Sequence, residues 1–292
     1  MFANYFNKTP MPIFYGKVTL IEYLKSVKAN HSKIGFVPTM GALHQGHLSL
    51  MQKSMSENQT TVVSIFVNPT QFNNPEDLAK YPRTLEDDLK KIVGLSPEII
   101  VYAPPTDDIY EGNPASQLFD FDGLENQMEG KFRPNHFNGV GTIVKRLLEI
   151  VEPTNAYFGE KDFQQLQIIK KMVAKNKMKV NVIGCPILRE SNHLAMSSRN
   201  ELLSSKEKQE ASLIFKTLVD AKEKFKTKSA KTVTKWVEKS FEKNATFTLE
   251  YFQIADEETL LPCLRKSKSK KYRAFIAVFV NKIRLIDTIS LN

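Results

Sequence analysis

Residues Thr60–Val67 read Thr-Thr-Val-Val-Ser-Ile-Phe-Val, an unbroken apolar and β-branched run closed by Pro69. A strand wetted on one face alternates apolar and polar residues. A continuous run fits a strand covered on both faces, as in parallel sheets. Two more runs share this texture, Lys33–Thr39 (KIGFVPT) and Pro97–Ala103 (PEIIVYA), and shorter strands are expected at Asn155–Phe158 and Val180–Ile187. Between them lie segments of helical period: one with Leu48 and Met51 on a single face, then Leu85–Val93, Gly139–Ile150 and Phe163–Asn176. Strand and helix in repeated alternation predict an α/β fold, a Rossmann-like doubly wound parallel sheet with helices on both faces.

Past Arg189 the texture changes. Ser204–Phe225 reads as one long lysine- and glutamate-rich helix and Val233–Lys243 as another. Leu249–Ala255, Ala274–Val280 and Lys282–Ile289 read as strands, the last two meeting in a hairpin turn at Asn281. Helices followed by adjacent antiparallel strands predict a smaller C-terminal α+β domain. The boundary falls near Cys185–Glu190, giving domains at 1–187 and 188–292.

The chain's 292 residues suffice for two moderate cores. No apolar run approaches the roughly 18 residues of a membrane span. The N-terminus, with Lys8 its single lysine before Met11, lacks the apolar centre of a signal peptide. The expectation is a short leader, translation from Met1 or Met11, and a cytoplasmic protein without a membrane partner. Two cysteines, Cys185 and Cys263, make no disulfide framework and no metal-type pair, and read as reduced structural thiols. The net charge of +9 is concentrated in Lys222–Lys228 and Arg265–Arg273 (RKSKSKKYR). Neither run carries the interleaved aromatics of a base-stacking surface, so both read as solvated surface with no nucleic-acid partner. Their positive field would still help gather an anionic substrate.

The chemistry concentrates first in Pro38-Thr39-Met40-Gly41-Ala42-Leu43-His44-Gln45-Gly46-His47, where a buried strand turns into a helix. Ligands of open α/β sheets bind at such carboxyl ends of strands. Gly41 permits an unusual backbone angle and Gly46 a close approach of ligand to backbone. His44 and His47, three apart, share a helix face beside the N–H groups of the first turn, which bind anions. For a bare His-x-x-His, one histidine capping the helix and the other lying on the surface is the more ordinary reading; the glycines, Pro38-Thr39-Met40 and the strand–helix context favour the functional one. Zinc has no third ligand nearby.

His44-Gln45-Gly46-His47 resembles the HIGH signature of the nucleotidylyltransferase superfamily, and the longer PTMGALHQGH resembles its form in the pantothenate synthetase family. Four further segments agree with that family in order and spacing: Phe66–Phe72 (FVNPTQF), Arg133–Phe137 (RPNHF), Gly159–Gln165 (GEKDFQQ) and Met196–Asn200 (MSSRN). The resemblance implies a homodimeric ligase that consumes ATP with Mg2+, has no dedicated protein metal site, and joins pantoate to β-alanine through pantoyl-adenylate. It assigns ATP to Pro38, Met40, Gly41, Ala42, Leu43, His44, Gln45, Gly46, His47, Gly159, Glu160, Lys161, Asp162, Leu188, Met196, Ser197, Ser198 and Arg199. Of these, His44, His47, Lys161 and Arg199 are the catalytic residues. It assigns the other substrates to Asn68, Gln71, Arg133 and Gln165. It makes 188–292 a lid, with Met196–Arg199 resembling the KMSKS signature of the synthetases. A triphosphate charge 4 Å away contributes roughly 4 kcal/mol at an effective dielectric of 20. The helix N-terminus opposes an imidazolium by only about 0.3–1 kcal/mol. Charged histidines are therefore expected once ATP binds.

One departure stands out: Asn192-His193 occupies the place where the family usually carries Asp-Gly, which leaves the shape of that loop open. Three other functions remain to be weighed. One is a nucleotidyltransferase moving AMP onto a phosphate-bearing acceptor, against which stand Gln71 and Gln165. The second is a truncated tRNA synthetase lacking its anticodon domain, and the third a nucleic-acid-binding protein using the basic run.

Overall fold

The computed structural model describes residues 11–242 and 244–292. The leader, residues 1–10, and the end of the expected helix at Lys243 lie outside them. The chain folds as two compact units. The first comprises Met1–Phe119, Asn138–Phe158 and Met172–Ile183, and the second Asp120–Phe137, Gly159–Lys171 and Gly184–Asn292. The second thus holds all of 188–292 together with three earlier segments.

The first unit is built on a six-stranded sheet. Its strands are β1 (Ile13–Phe14), β2 (Ile34–Thr39), β3 (Thr60–Ile65), β4 (Ile100–Tyr102), β5 (Asn155–Gly159) and β6 (Asn181–Cys185), in the order β1-β4-β3-β2-β5-β6. Parallel pairing sets Phe36 beside Val62 on one side and Ala156 on the other, and Val63 beside Val101. Neighbouring residues along a strand face opposite ways. Because Ile34, Gly35, Phe36 and Val37 are buried in succession, as are Thr61–Ser64, both faces of the sheet are covered, as the unbroken runs predict. The covering helices include α1 (Lys17–Ala29), α2 (Gln45–Glu57), the short α3 (Pro75–Lys80), α4 (Leu85–Leu95) and α5 (Thr106–Tyr110). They bury Leu20, Leu24, Met51 and Ile92. Chain order turns around at β2, with β3 on one side and β5 on the other, the kind of switch point where open sheets bind ligands.

Helix α6 (Met128–Phe132) belongs to the second unit, and α7 (His136–Val151) and α8 (Phe163–Lys175) run through the boundaries. The rest of the second unit is α9 (Ser205–Glu210), α10 (Ser212–Thr227), α11 (Ala230–Phe241) and an antiparallel sheet of β7 (Phe247–Asp256), β8 (Tyr272–Val280) and β9 (Ile283–Ser290). Leu218, Ala221, Val233 and Val237 of the helices pack with Ile254, Ile276 and Val278 of the sheet. The hairpin expected at Asn281 is present. Val280 pairs with Ile283, and Asn281 takes the left-handed backbone (φ +53°) that a two-residue turn demands.

Two expectations need correction. The helix read as continuous over Ser204–Phe225 is two, α9 and α10. They are divided at Ala211, which is fully buried and whose ψ of −11° departs from helical geometry. The basic run Arg265–Arg273 is not all solvated surface. Its last residue, Arg273, is buried within β8, while Arg265–Lys271 are exposed. Both cysteines are buried, and burial raises the Cys263 thiol pKa. Among the described residues no helix is long and apolar enough to cross a membrane.

Candidate active site

The loop from β2 to α2 carries the densest set of candidate residues, all in the first unit. Gly41 (φ +81°) and Ala42 (φ +50°) are consecutive left-handed residues, a sharp turn that delivers the chain to His44. His44 is the N-cap of α2: its Nδ1 accepts from the Gly46 amide at 3.1 Å. His47 answers from the N3 position, its Nδ1 accepting from the His44 amide at 3.3 Å, and the rings lie 4.1 Å apart between centroids. This is a capping box built from two imidazoles. A ring nitrogen that accepts carries no proton, so each ring proton sits on Nε2. The capping reading and the functional reading are compatible: Nδ1 serves the backbone and Nε2–H is the donor each ring can offer. The charged form expected on ATP binding requires a proton on Nδ1 and the loss of a capping bond.

What holds this turn was not legible in the sequence. Asp88, on α4, is wholly buried. Its Oδ2 accepts from the Ala42 amide at 2.9 Å and from the Thr84 hydroxyl at 3.2 Å, and its Oδ1 from the Leu43 amide at 2.7 Å. Lys91, one turn along, donates to the Leu43 carbonyl at 2.7 Å. Glu86-Asp87-Asp88 reads in sequence as an acidic first turn complementing the helix dipole; only the fold turns Asp88 inward. Gly41 has a second reason to be glycine, since a Cβ there would sit 3.0 Å from Asp88 Oδ2.

Asn68 and Gln71 follow β3, as expected. Asn68 is almost fully buried and its amide is committed internally. Nδ2 donates to Gln71 Oε1 and to the Gly139 carbonyl, both at 3.2 Å, while Oδ1 accepts from Tyr110 at 2.5 Å and Thr70 at 3.2 Å. Burial raises the Tyr110 phenol pKa, which keeps it a donor. Asn68 therefore orients Gln71, whose Nε2 meets Met40 Sδ at 3.0 Å and ties this segment to the β2–α2 loop. Gly139 makes the arrangement possible, because a Cβ there would lie 2.3 Å from the Thr70 carbonyl oxygen.

The remaining candidates lie in the second unit. After Gly159, whose Cβ position opens onto empty space, Glu160–Asp162 form a 3₁₀ turn leading into α8. Glu160 is held by Arg273 at 3.2 Å; Arg273 also bonds Glu257 at 3.0 Å and stacks over the Phe163 ring. Glu160 is thus an anchor of the turn, and Lys161 and Asp162, 3.4 Å apart, are its partly exposed members. The two glutamines that follow divide in the same way. Gln164 is buried, donating to the Leu124 and Gln127 carbonyls and accepting from the Glu129 amide, whereas Gln165 is partly exposed. Arg133 lies 4.0 Å from Glu129, which Arg284 grips with two bonds of 2.7 Å and Tyr251 with one of 2.8 Å. Burial pushes the Glu129 pKa up, but Arg284 and Tyr251 outweigh it and hold it below the usual range.

The Leu188–Arg199 segment closes on itself. The Met196 amide bonds the Leu188 carbonyl and the Glu190 amide the Leu194 carbonyl. His193 sits at the tip with φ +69°. The position where the family usually has glycine keeps a glycine-like backbone here despite the histidine, which stacks on Phe215. Asn192 Oδ1 accepts from the Leu194 amide, a bond an aspartate would also make. Ser197 caps the following 3₁₀ helix through the Arg199 amide, and buried Asn200 ties it to Glu190 and the Ala195 carbonyl. Met196, Ser197, Ser198 and Arg199 remain partly exposed, and Gln45 and Leu188 are exposed.

Pro38–His47, Asn68 and Gln71 are thus gathered in one unit, and Arg133, Gly159–Asp162, Gln165, Leu188 and Met196–Arg199 in the other. Residues 13–290 match the model of the family described as pantoate-beta-alanine ligase. A pantothenate synthetase of Flavobacterium psychrophilum is 65% identical over 96% of this chain and 100% of its own length. One of Christiangramia forsetii is 52% identical over 97% and 100%. Among solved structures, the pantothenate synthetase of Thermus thermophilus superposes with a TM-score of 0.86 at 35% identity, covering 96% of this chain and 99% of that one. The pantoate-beta-alanine ligase of Francisella tularensis, complexed with beta-gamma ATP and beta-alanine, gives 0.74 at 34% identity over 96% and 98%. With a family match along nearly its whole length and relatives this similar, the chain is a member of the pantoate–β-alanine ligase family.

Proposed function

We propose that the protein condenses pantoate with β-alanine at the expense of ATP. A pantoate carboxylate oxygen forms a bond to the α-phosphorus as the bridging bond to the β-phosphate breaks, and pyrophosphate leaves. The β-alanine nitrogen then attacks the acyl carbon of pantoyl-adenylate, its surplus proton passes to solvent, and AMP departs as pantothenate forms. The observation carrying this reading is the pair of Nδ1-capped histidines at the start of α2, in a chain of this family.

No covalent intermediate with the protein is needed; alignment and stabilisation of the charge growing on the phosphates suffice. His44 and His47 would each donate Nε2–H to a phosphate oxygen. Pro38, Met40–Leu43, Gln45 and Gly46 would line the nucleotide beside them. The family likeness also supports Gly159, Lys161, Asp162, Leu188 and Met196–Arg199 as serving the nucleotide, with Lys161 and Arg199 as the cations. Glu160 acts there by anchoring its turn to Arg273. Gln71 and Gln165 would bind pantoate's hydroxyls and carboxylate, Asn68 holding Gln71 in place, with Arg133 beside the acid substrates. Among the described residues no three His, Cys, Asp or Glu side chains are grouped as a metal cage. A magnesium ion would accompany the nucleotide's phosphates and neutralise their charge. The family likeness also supports a cytoplasmic homodimer with 188–292 as its lid.

Incubation with ATP, magnesium, pantoate and β-alanine should yield pantothenate and AMP in equal amounts; AMP transfer to a phosphate-bearing acceptor instead would overturn the reading. Gly139→Ala should raise the KM for pantoate, because the added methyl displaces the Thr70–Gln71 backbone, and should lower stability by about 1–3 kcal/mol. Pantoate titrations with the folded variant check this; an unchanged KM would remove Gln71 from the pantoate site.

A further inference from the structure

We propose that Asp88, with Lys91, is a positioning residue for the adenylation step, acting through the loop that carries His44 and His47. Asp88 is enclosed on every side, and both its oxygens are engaged by the chain itself. So engaged, it acts through the loop. Its bonds fall on the amides of Ala42 and Leu43, the residues immediately before the N-cap histidine, and Ala42 is held in a left-handed conformation that a residue with a Cβ avoids. Lys91 takes the carbonyl of Leu43 from the same helix. The peptide entering α2 is therefore gripped on both its donor and acceptor sides by α4. Without the carboxylate, two inward-facing N–H groups lose their acceptor, and the turn relaxes toward ordinary backbone angles. The capping box moves with it, because the His44 backbone is part of the box. An anion at these amides is also what a phosphate-binding turn would hold; here the protein supplies its own. The backbone N–H groups of Ala42 and Leu43 are thereby withheld from the nucleotide.

The rate readout of this inference rests on the ligase reading, so wild-type protein is assayed first for pantoate-dependent adenylate formation. Asp88→Asn keeps the shape but turns an amide donor toward one of the two N–H groups. In single-turnover adenylation at saturating ATP and pantoate, the rate constant should fall by about 10²-fold, the scale of a catalytic group misplaced by roughly 1 Å. The amplitude per total protein and the KM for pantoate should stay as in wild type. A merely structural role would lower the amplitude through unfolding and leave the rate constant unchanged, and that outcome overturns the proposal. Should Asp88→Asn fail to fold, Lys91→Met decides in its place, with a slowing of about tenfold expected and an unchanged rate constant overturning it. If wild type forms no adenylate, the ligase reading fails, and the imidazole resonances of the unliganded protein judge the clamp. Asp88→Asn, or Lys91→Met in its place, should then shift His44 and His47 while His31, His136 and His193 stay put. Unmoved His44 and His47 signals overturn it.

Discussion

Replacing His44 or His47 with asparagine should slow adenylate formation by about 10²–10³-fold, the cost of one preorganised donor to a developing charge, with little loss of stability. The two effects separate because the cap and the proposed phosphate contact use different ring nitrogens. Nδ1 accepts a backbone N–H in the capping box, and asparagine's Oδ1 reproduces that acceptor. Asparagine is also among the best N-cap residues. Nε2–H, the donor proposed to face phosphate, has no counterpart in asparagine. At His44 glutamine inverts the exchange: its amide nitrogen reaches the Nε2 position while the cap is lost, so it should recover part of the rate at some expense of stability. At His47, the N3 position, glutamine still reaches the N-cap amide and should keep stability. Stopped-flow adenylation beside thermal melts of the four variants checks this. An asparagine variant that adenylates at the wild-type rate removes that histidine from the mechanism, and one that only melts earlier reduces it to a cap.

Glu129→Ala should destabilise the second unit by about 3 kcal/mol, the lower end of what breaking a buried ion pair costs. The change leaves the Arg284 guanidinium without its bidentate partner and the Tyr251 hydroxyl without its acceptor. The lower end applies because Glu250 still pairs with Arg284. The same network sets a pH dependence. The folded-state pKa of Glu129 is depressed, so its contribution is fully present above the unfolded carboxylate value of about 4.3. That contribution is lost as pH falls through the lower folded value. Denaturant melts of wild type and Glu129→Gln should therefore converge as the pH is lowered through that window. A constant difference between them would show that Glu129 holds the unit by packing alone.

The sheet was legible in Thr60–Val67 because burial on both faces removes polar residues from a strand, a pattern that needs no knowledge of the neighbours. The β2–α2 turn was legible because glycine, proline and the histidine pair mark it locally. Asp88 was not, since an aspartate three residues into an acidic helix start looks the same whether it faces water or a buried amide pair. Arg273 was hidden likewise: at the end of a lysine-rich run it has the composition of surface, and only pairing within β8 turns it toward Glu160 and Phe163. The break at Ala211 followed from packing, which no helical propensity records. The internal bonds of Asn68 to Gln71 and Gly139 were not legible either, since they depend on how the segment after β3 meets α7.

Isotope exchange between pyrophosphate and ATP, with magnesium and pantoate present and β-alanine withheld, tests the ligase reading most directly. Exchange that appears only when pantoate is added is the expected result, because only a reversibly formed pantoyl-adenylate returns labelled pyrophosphate to ATP before any amine arrives. Folded, ATP-binding protein that supports no exchange under these conditions would contradict a pantoyl-adenylate intermediate and turn the search to phosphate-bearing acceptors of AMP.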